Sequence, residues 1–223
     1  MLPIADSISF EEAACLCETY ITAYLNLFVG ARLANGEWAL LHGGGGGVTT
    51  AAMQLIGALA PASRMIVTAS ERKLRRVADL GAHVVVDYRH GDFVQAATDA
   101  TNGRGVDVIL DHIGAAYLAR HQQVLAVGGR LALIGIMGGR KTEIDLGRLL
   151  VKRQEIIGSV LRPRAADEKA AIIARFGREV MPHFVERRLV PLIDSVLPLE
   201  QAADAHRRME RGEHFGKIVL RVS

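Results

Sequence analysis

The stretch WALLHGGGGGVTTAAMQLIGA, Trp38 to Ala58, joins a short apolar run to five consecutive glycines, Gly43 to Gly47, and then to apolar residues at helical spacing. Strand, glycine turn and helix in that order present backbone N–H groups to a phosphate. The glycines permit a tight turn and close ligand approach, and the helix that follows points the positive end of its dipole at the anion. The competing reading is a flexible linker, because homopolymeric glycine is common in linkers and loses much entropy on ordering. A linker is flanked by polar residues, whereas Leu40 and Leu41 lie almost against the first glycine and Val48 follows the last.

Working outward, the same alternation repeats. Pro61 stops the helix, Met65 to Thr68 reads as a second strand, and Ser70 is placed to cap a helix over ERKLRRVADLG. The strand HVVVDY follows, then a helix near Asp92 to Thr101, the strand VDVILD, a helix near Tyr117 to Val127 and the strand RLALIG. A shorter helix over Leu146 to Lys152 and a strand EIIGSVL ending at Leu161 close this region. Apolar, β-branched runs alternating with helices predict an α/β fold: a doubly wound parallel sheet covered on both faces, with ligands at the carboxyl ends of its strands.

The flanking segments differ. Ser9-Phe10-Glu11-Glu12 is a capping-box pattern that starts a helix running to Gly30, apolar on more than one face. After Ala165 comes a long helical pattern to Arg188 that Pro182 interrupts, then IDSVLP, a helix through Gln201 to Met209 and a strand KIVLRV. The expected regions are therefore 1–30, a connecting helix; 31–164, the nucleotide-binding domain; and 165–223, helices and strands that pack on it.

The chain has 223 residues, half of them hydrophobic and 23% charged, a composition that excludes disorder and can bury a substantial core. No apolar run in the sequence approaches the ~20 residues that cross a bilayer. The net charge of +3 is spread among acidic residues, so it favours anionic ligands only mildly. Aromatic content of 5% and the lack of a binding motif argue against nucleic acid as a partner. Cys15 and Cys17, the only cysteines, are two apart on a helix and so face different ways, forming neither a metal pair nor a disulfide. A reducing, cytoplasmic setting fits them, and Met1-Leu2-Pro3-Ile4 lacks the features of a secretory signal.

Together with the Glu37–Gln54 turn, the segments LPIADSISFEEAA, LGAHVVVDYRHGDF, GRGVDVILDHIG, GGRLALIG, EIDLGRLLVKR, GSVLRPR and AHRRMERGEHFGKIVL carry a family resemblance. The chain resembles the zinc-independent quinone oxidoreductases of the medium-chain dehydrogenase/reductase superfamily, in particular the p53-inducible quinone oxidoreductase-like branch. The resemblance implies a Rossmann domain binding NADPH, accompanied by helical and strand remnants of a second, GroES-like domain. Family members carry that domain N-terminal to this region, so the chain is expected to be a shortened or partial form. It also implies a homodimer, with the edge strand around Ile156 to Val160 as the contact.

Residue by residue, the resemblance places the dinucleotide on Gly43, Gly44, Gly45, Gly46, Gly47, Val48 and Thr49. Thr49 stands where the family has a small residue, so it either pushes the helix away or donates its hydroxyl to a phosphate. Ser70 replaces the acid that would bind a free ribose 2′-hydroxyl; with Lys73 and Tyr88 it matches the family's 2′-phosphate site, which favours NADPH, while Glu71 opposes it. Thr22, Ile113, Ile136, Met137, Ser159, Leu161 and Lys217 correspond to positions around the nicotinamide. Taken singly, the apolar members of that group read as core and the lysines as solvated.

Hydride transfer requires an oriented cofactor and a conjugated acceptor, with no covalent nucleophile, so no residue is assigned a catalytic role. His42, His112 and His121 lack metal-ligand spacing, and no metal is expected. Asp111 at a strand end reads as a cap of the next turn in preference to a base. The implied activity is NADPH-dependent reduction of a quinone or enone; the alternative is an NADPH-binding protein without turnover.

Overall fold

The computed structural model describes residues 2–222; Met1 and Ser223, the outer limits of the first and last expected regions, lie outside the described residues. Helix α1, Phe10–Gly30, begins at the predicted capping box: the Glu12 N–H donates to the Ser9 hydroxyl at 3.2 Å and the Ser9 N–H to the Glu12 carboxylate at 3.0 Å. Two segments of α1, Leu16–Tyr20 and Leu25–Gly30, widen into π turns, which nothing in the sequence signals. α1 is long and apolar enough to cross a membrane by length and composition, contrary to the sequence expectation, yet 56% of its apolar stretch is buried within the protein. Tyr20, Ile21, Tyr24 and Leu27 belong to the main core, so α1 is a core helix. Cys15 is buried and Cys17 exposed, on different faces as expected.

Six strands form one parallel sheet: β1 Trp38–Leu41, β2 Arg64–Ala69, β3 Val84–Asp87, β4 Val106–Asp111, β5 Leu125–Leu133 and β6 Glu155–Gly158, in the order β3-β2-β1-β4-β5-β6. That order is the Rossmann arrangement, with the topological switch point between β1 and β4. Every residue of β4 is buried, the signature of a strand covered on both faces. Its one charge near the strand start, Asp107, is matched by the Arg104 guanidinium at 2.6 and 2.8 Å and by the Trp38 N–H at 2.8 Å.

Helices α2 Gly47–Leu59, α3 Leu74–Asp79, α4 Phe93–Ala100, α5 Leu118–Val124 and α6 Leu146–Lys152 follow the strands. One core lies between the sheet and α1, α2 and the later helices α7 Ala166–Glu179 and α8 Met181–Val185, anchored by Phe176 and Phe184. A second core, around Phe93, Ala97 and Val124, fills the opposite face under α4 and α5. Beyond these lie β7 Ile193–Pro198, α9 Ala202–Glu210 and β8 Lys217–Arg221; β7 and β8 form a separate two-stranded parallel sheet.

The structure shifts four expected details. Ser70 makes no side-chain cap, and the segment after it opens as a 3-10 turn, Glu71–Lys73, before α3. α5 ends at Val124 because β5 starts at Leu125, earlier than RLALIG suggested. The helix expected over Ala165 to Arg188 is divided at Val180, and Pro182, lacking an N–H, sits in the first turn of α8 where none is needed. β6 stops at Gly158, three residues before Leu161.

Candidate dinucleotide-binding site

The glycine turn lies at the carboxyl end of β1, against the switch point. Gly43 adopts φ +69°, a conformation that favours glycine, and a Cβ there would meet the His112 imidazole at 2.6 Å. The turn is braced by Gly44 N–H to the Thr68 carbonyl and Gly46 N–H to the Gly43 carbonyl, both at 2.8 Å. Gly47, Val48 and Thr49 open α2, so their N–H groups have no acceptor one turn back within the helix and face the space before it. The Thr49 hydroxyl donates to the His42 carbonyl at 2.6 Å, tying α2 to the end of β1.

The turn is held from the far end of the sequence as well. Gly216, just before β8, donates its N–H to the Gly45 carbonyl at 3.0 Å, and the Lys217 side chain passes beside Gly47. Lys73 reaches the turn from the other side, lying against Gly45. Burial lowers the Lys73 pKa, while the nearby Asp194 carboxylate opposes that shift.

Ser70, Lys73 and Tyr88 do come together, lining a cavity of about 320 Å³ beyond β2 and β3. The same cavity receives Arg72, Arg76, Arg89, His90 and Arg211, with Glu71 and Glu213. Those basic residues were missed in the sequence. Arg72 and Arg89 adjoin predicted members and were legible; Arg211 follows α9 and arrives only through packing.

Thr22, Ser159 and Leu161 line a second, larger cavity of about 740 Å³, walled by α1, the loop after β6 and α7, with Ile21, Ile134, Val160 and Ile173 giving it an apolar character. Ile113 is half-buried in the turn after β4, where its carbonyl accepts the Gly138 N–H at 2.6 Å. Ile136 and Met137 are 56% and 82% exposed, so neither is core; their loop is fixed through backbone, the Met137 N–H donating to the His112 carbonyl at 3.0 Å.

Asp111 ends β4 and accepts the Ile113 and Gly114 N–H groups at 2.7 and 2.9 Å, the capping role expected for it. Burial outweighs those bonds and raises its pKa to about 6. His42 and His121 sit beside it in the interior, their Nε2 atoms 2.8 Å apart. Burial lowers both histidines, His121 to about 3, so both rings are neutral. The ligand atoms of His42, Asp111 and His121 lie within 4.8 Å of one another. As placed, the two imidazole nitrogens are hydrogen-bonded to each other and lie closer together than two ligands of one tetrahedral ion would.

A family model described as zinc-binding dehydrogenase matches residues 80–220. Quinone oxidoreductase of Rattus norvegicus is 30% identical, over 98% of this chain and 64% of its own. Among solved structures, an NAD-dependent alcohol dehydrogenase aligns at TM-score 0.83 and 34% identity, covering 99% of this chain and 61% of that one. The CurK enoyl reductase aligns at TM-score 0.84 and 28% identity, covering 100% of this chain and 65% of that one. The chain thus spans just under two thirds of the length of each of these proteins. With the strand order, the glycine turn at its switch point and these matches in agreement, the chain belongs to the zinc-binding dehydrogenase family of the medium-chain dehydrogenase/reductase superfamily.

Proposed function

We propose that the protein acts in NADPH-dependent transfer of hydride to a quinone or another conjugated carbonyl acceptor, without a metal. The observation that carries this reading is the pairing of a phosphate-type glycine turn at the switch point with an apolar cavity bordered by Thr22, Ser159 and Leu161. The backbone N–H groups of Gly47, Val48 and Thr49 receive the diphosphate, and the Lys217 side chain lies beside Gly47. The Ser70–Lys73–Tyr88 pocket, with its arginines, takes the 2′-phosphate against the opposition of Glu71 and Glu213. The turn after β4 and the Ile136–Met137 loop hold the nicotinamide end through backbone groups. When bound, the cofactor supplies the hydride; Ile21, Ile134, Val160 and Leu161 exclude water from the acceptor, whose product oxyanion takes its proton from solvent. The solved enoyl reductase supports including a conjugated thioester among the acceptors tested.

Trp38, the single tryptophan, opens β1 at the end remote from the turn, so the reporter of choice is the reduced nicotinamide's own fluorescence. Titration with NADPH and NADH is followed by loss of nicotinamide absorbance on adding a simple quinone or an enoyl thioester. Saturable NADPH binding with acceptor-dependent oxidation is expected. Binding without oxidation supports the alternative, a cofactor-binding protein without turnover; failure of the folded protein to bind either cofactor removes both readings. The Lys73→Ala variant is expected to weaken NADPH about tenfold and leave NADH little changed, the ratio expected when one charged contact to a phosphate is lost. Equal weakening of both would move Lys73 to the diphosphate.

The same proposal includes a homodimer in a cytoplasmic setting. Leu146, Leu150 and Val151 of α6 and Val160 beyond β6 are exposed next to the open edge of the sheet, where a second copy would cover them.

A further inference from the structure

A turn of five glycines has no side chain with which to hold itself, so its shape comes from backbone hydrogen bonds and from contacts made elsewhere in the chain. The peptide unit between Gly45 and Gly46, which leads into α2, is held at both ends. Its N–H, that of Gly46, donates to the Gly43 carbonyl at 2.8 Å inside the turn. Its carbonyl, that of Gly45, accepts the Gly216 N–H at 3.0 Å, a bond to the far end of the sequence. Gly46 and Gly216 make an isolated parallel bridge at the same point. In a trans peptide the carbonyl and the N–H point in opposite directions, so this pair of bonds fixes the rotation of the plane between them. The N–H groups of Gly47, Val48 and Thr49 follow directly from it.

Gly216 is held in turn by its neighbours. Phe215 donates its N–H to Asp194 Oδ1 at 3.0 Å, and Lys217 donates its N–H to the Leu192 carbonyl at 2.8 Å, so the residues on either side are tied to the start of β7. Gly216 adopts φ +95°, and a Cβ there would run into the Leu192 carbonyl. The Phe215 ring is buried in the main core, with the Arg76 guanidinium 4.1 Å from its centre. Of the two anchors one is a backbone carbonyl; the other, Asp194, is a side chain and so can be removed by substitution. Its carboxylate is 7% exposed, and Oδ2 takes the Arg208 guanidinium at 2.9 Å and the Ser195 hydroxyl at 3.3 Å. It also attracts the Lys73 ammonium, whose stem lies against Gly45.

We propose that Asp194 is a positioning residue of the dinucleotide site: through the Phe215 N–H it holds Gly216 as a clasp on the glycine turn. The role of the turn itself rests on the dinucleotide reading above. With the clasp in place the Gly45–Gly46 peptide has one orientation, and α2 begins with its free N–H groups aimed at the diphosphate. Without it, a peptide unit made only of glycine rotates against little steric opposition, and cofactor binding then carries the cost of ordering it. The diphosphate is common to NADH and NADPH, so the clasp supports both alike. That equality separates Asp194 from the Ser70–Lys73–Tyr88 pocket, which tells the two cofactors apart.

Two readouts test the clasp, one of them without cofactor. Asp194→Ala removes the acceptor of the Phe215 N–H and should weaken NADH and NADPH equally, by about three- to tenfold, the range for one net hydrogen bond. Affinities are titrated by nicotinamide fluorescence well below the unfolding midpoint, where a loss of stability alone leaves them unchanged. In the same variant the Gly216 amide, followed by hydrogen exchange in the absence of cofactor, should exchange faster by a comparable factor. Asp194→Asn keeps an oxygen for the Phe215 N–H and loses only the charge, so it should return both exchange and affinity to within about twofold of the unsubstituted protein. A lower thermal midpoint in Asp194→Ala with both affinities unchanged shows a merely structural role and overturns the proposal. So does an Asp194→Asn variant as weak as Asp194→Ala, which assigns the effect to charge, or a loss confined to NADPH, which moves Asp194 to the 2′-phosphate pocket. If neither variant folds, the unsubstituted protein decides: a Gly216 amide that is protected supports the clasp, and one that exchanges at the rate of an open chain overturns it. Absence of NADH and NADPH binding, with Gly216 protection lost in Asp194→Ala and restored in Asp194→Asn, removes the dinucleotide reading and leaves the clasp standing.

Discussion

Gly44 and Gly45 are neighbours in the turn with different reasons to be glycine. A Cβ at Gly44 would lie 2.8 Å from both Val67 Cγ1 and Val77 Cγ2, inside packed core between β2 and α3. A Cβ at Gly45 would meet the Lys73 side chain, whose four-carbon stem can swing aside. Gly44→Ala should therefore destabilise the fold by about 1–3 kcal/mol, the cost of overpacking, and lower the thermal midpoint. Gly45→Ala should leave the midpoint within about a degree or two, since its contact is with a flexible end, and show its effect in weaker cofactor binding. Five identical letters in the sequence hide this distinction. Thr49 is the converse case: its departure from a small residue was visible, but its partner, the His42 carbonyl, was not.

Among the elements, those fixed by local chemistry were the legible ones. Ser9 and Glu12 predict the start of α1 because the capping box closes within four residues, and Ser9→Ala should cost about 1 kcal/mol, measurable by urea denaturation as a lower midpoint at constant slope. The strands β1, β2 and β4 announce themselves as continuous apolar runs, as a parallel sheet covered on both faces requires. Element ends were less legible. The change from α5 to β5 at Leu125 and the π turns of α1 respond to packing against neighbours, which periodicity does not report.

For the whole molecule, the asymmetry of the surface is the informative feature. Leu150 and Val151 are 75% and 79% exposed on α6, close in sequence to the unpaired edge strand β6. If a second copy covers this edge, Leu150→Lys places like charges across the two-fold axis and should convert a dimer to monomer in sedimentation velocity, leaving the unfolding midpoint of the monomer unchanged. A species of unaltered size would show that the edge is not the contact.

The sequence by itself determined the alternation of strand and helix, the parallel sheet and the position of the phosphate-type turn, because each depends on residues within one or two elements of each other. The Ser70–Lys73–Tyr88 grouping was implied by the family resemblance, and the adjacent ends of β2 and β3 bring those residues together. Only the tertiary structure decided that Gly216 and Lys217 brace the turn, that Arg211 enters the basic pocket, and that His42, His121 and Asp111 meet in the interior. Those contacts join segments far apart in the chain, and their existence depends on how helices seat against the sheet, a property of packing that no local pattern of residues encodes.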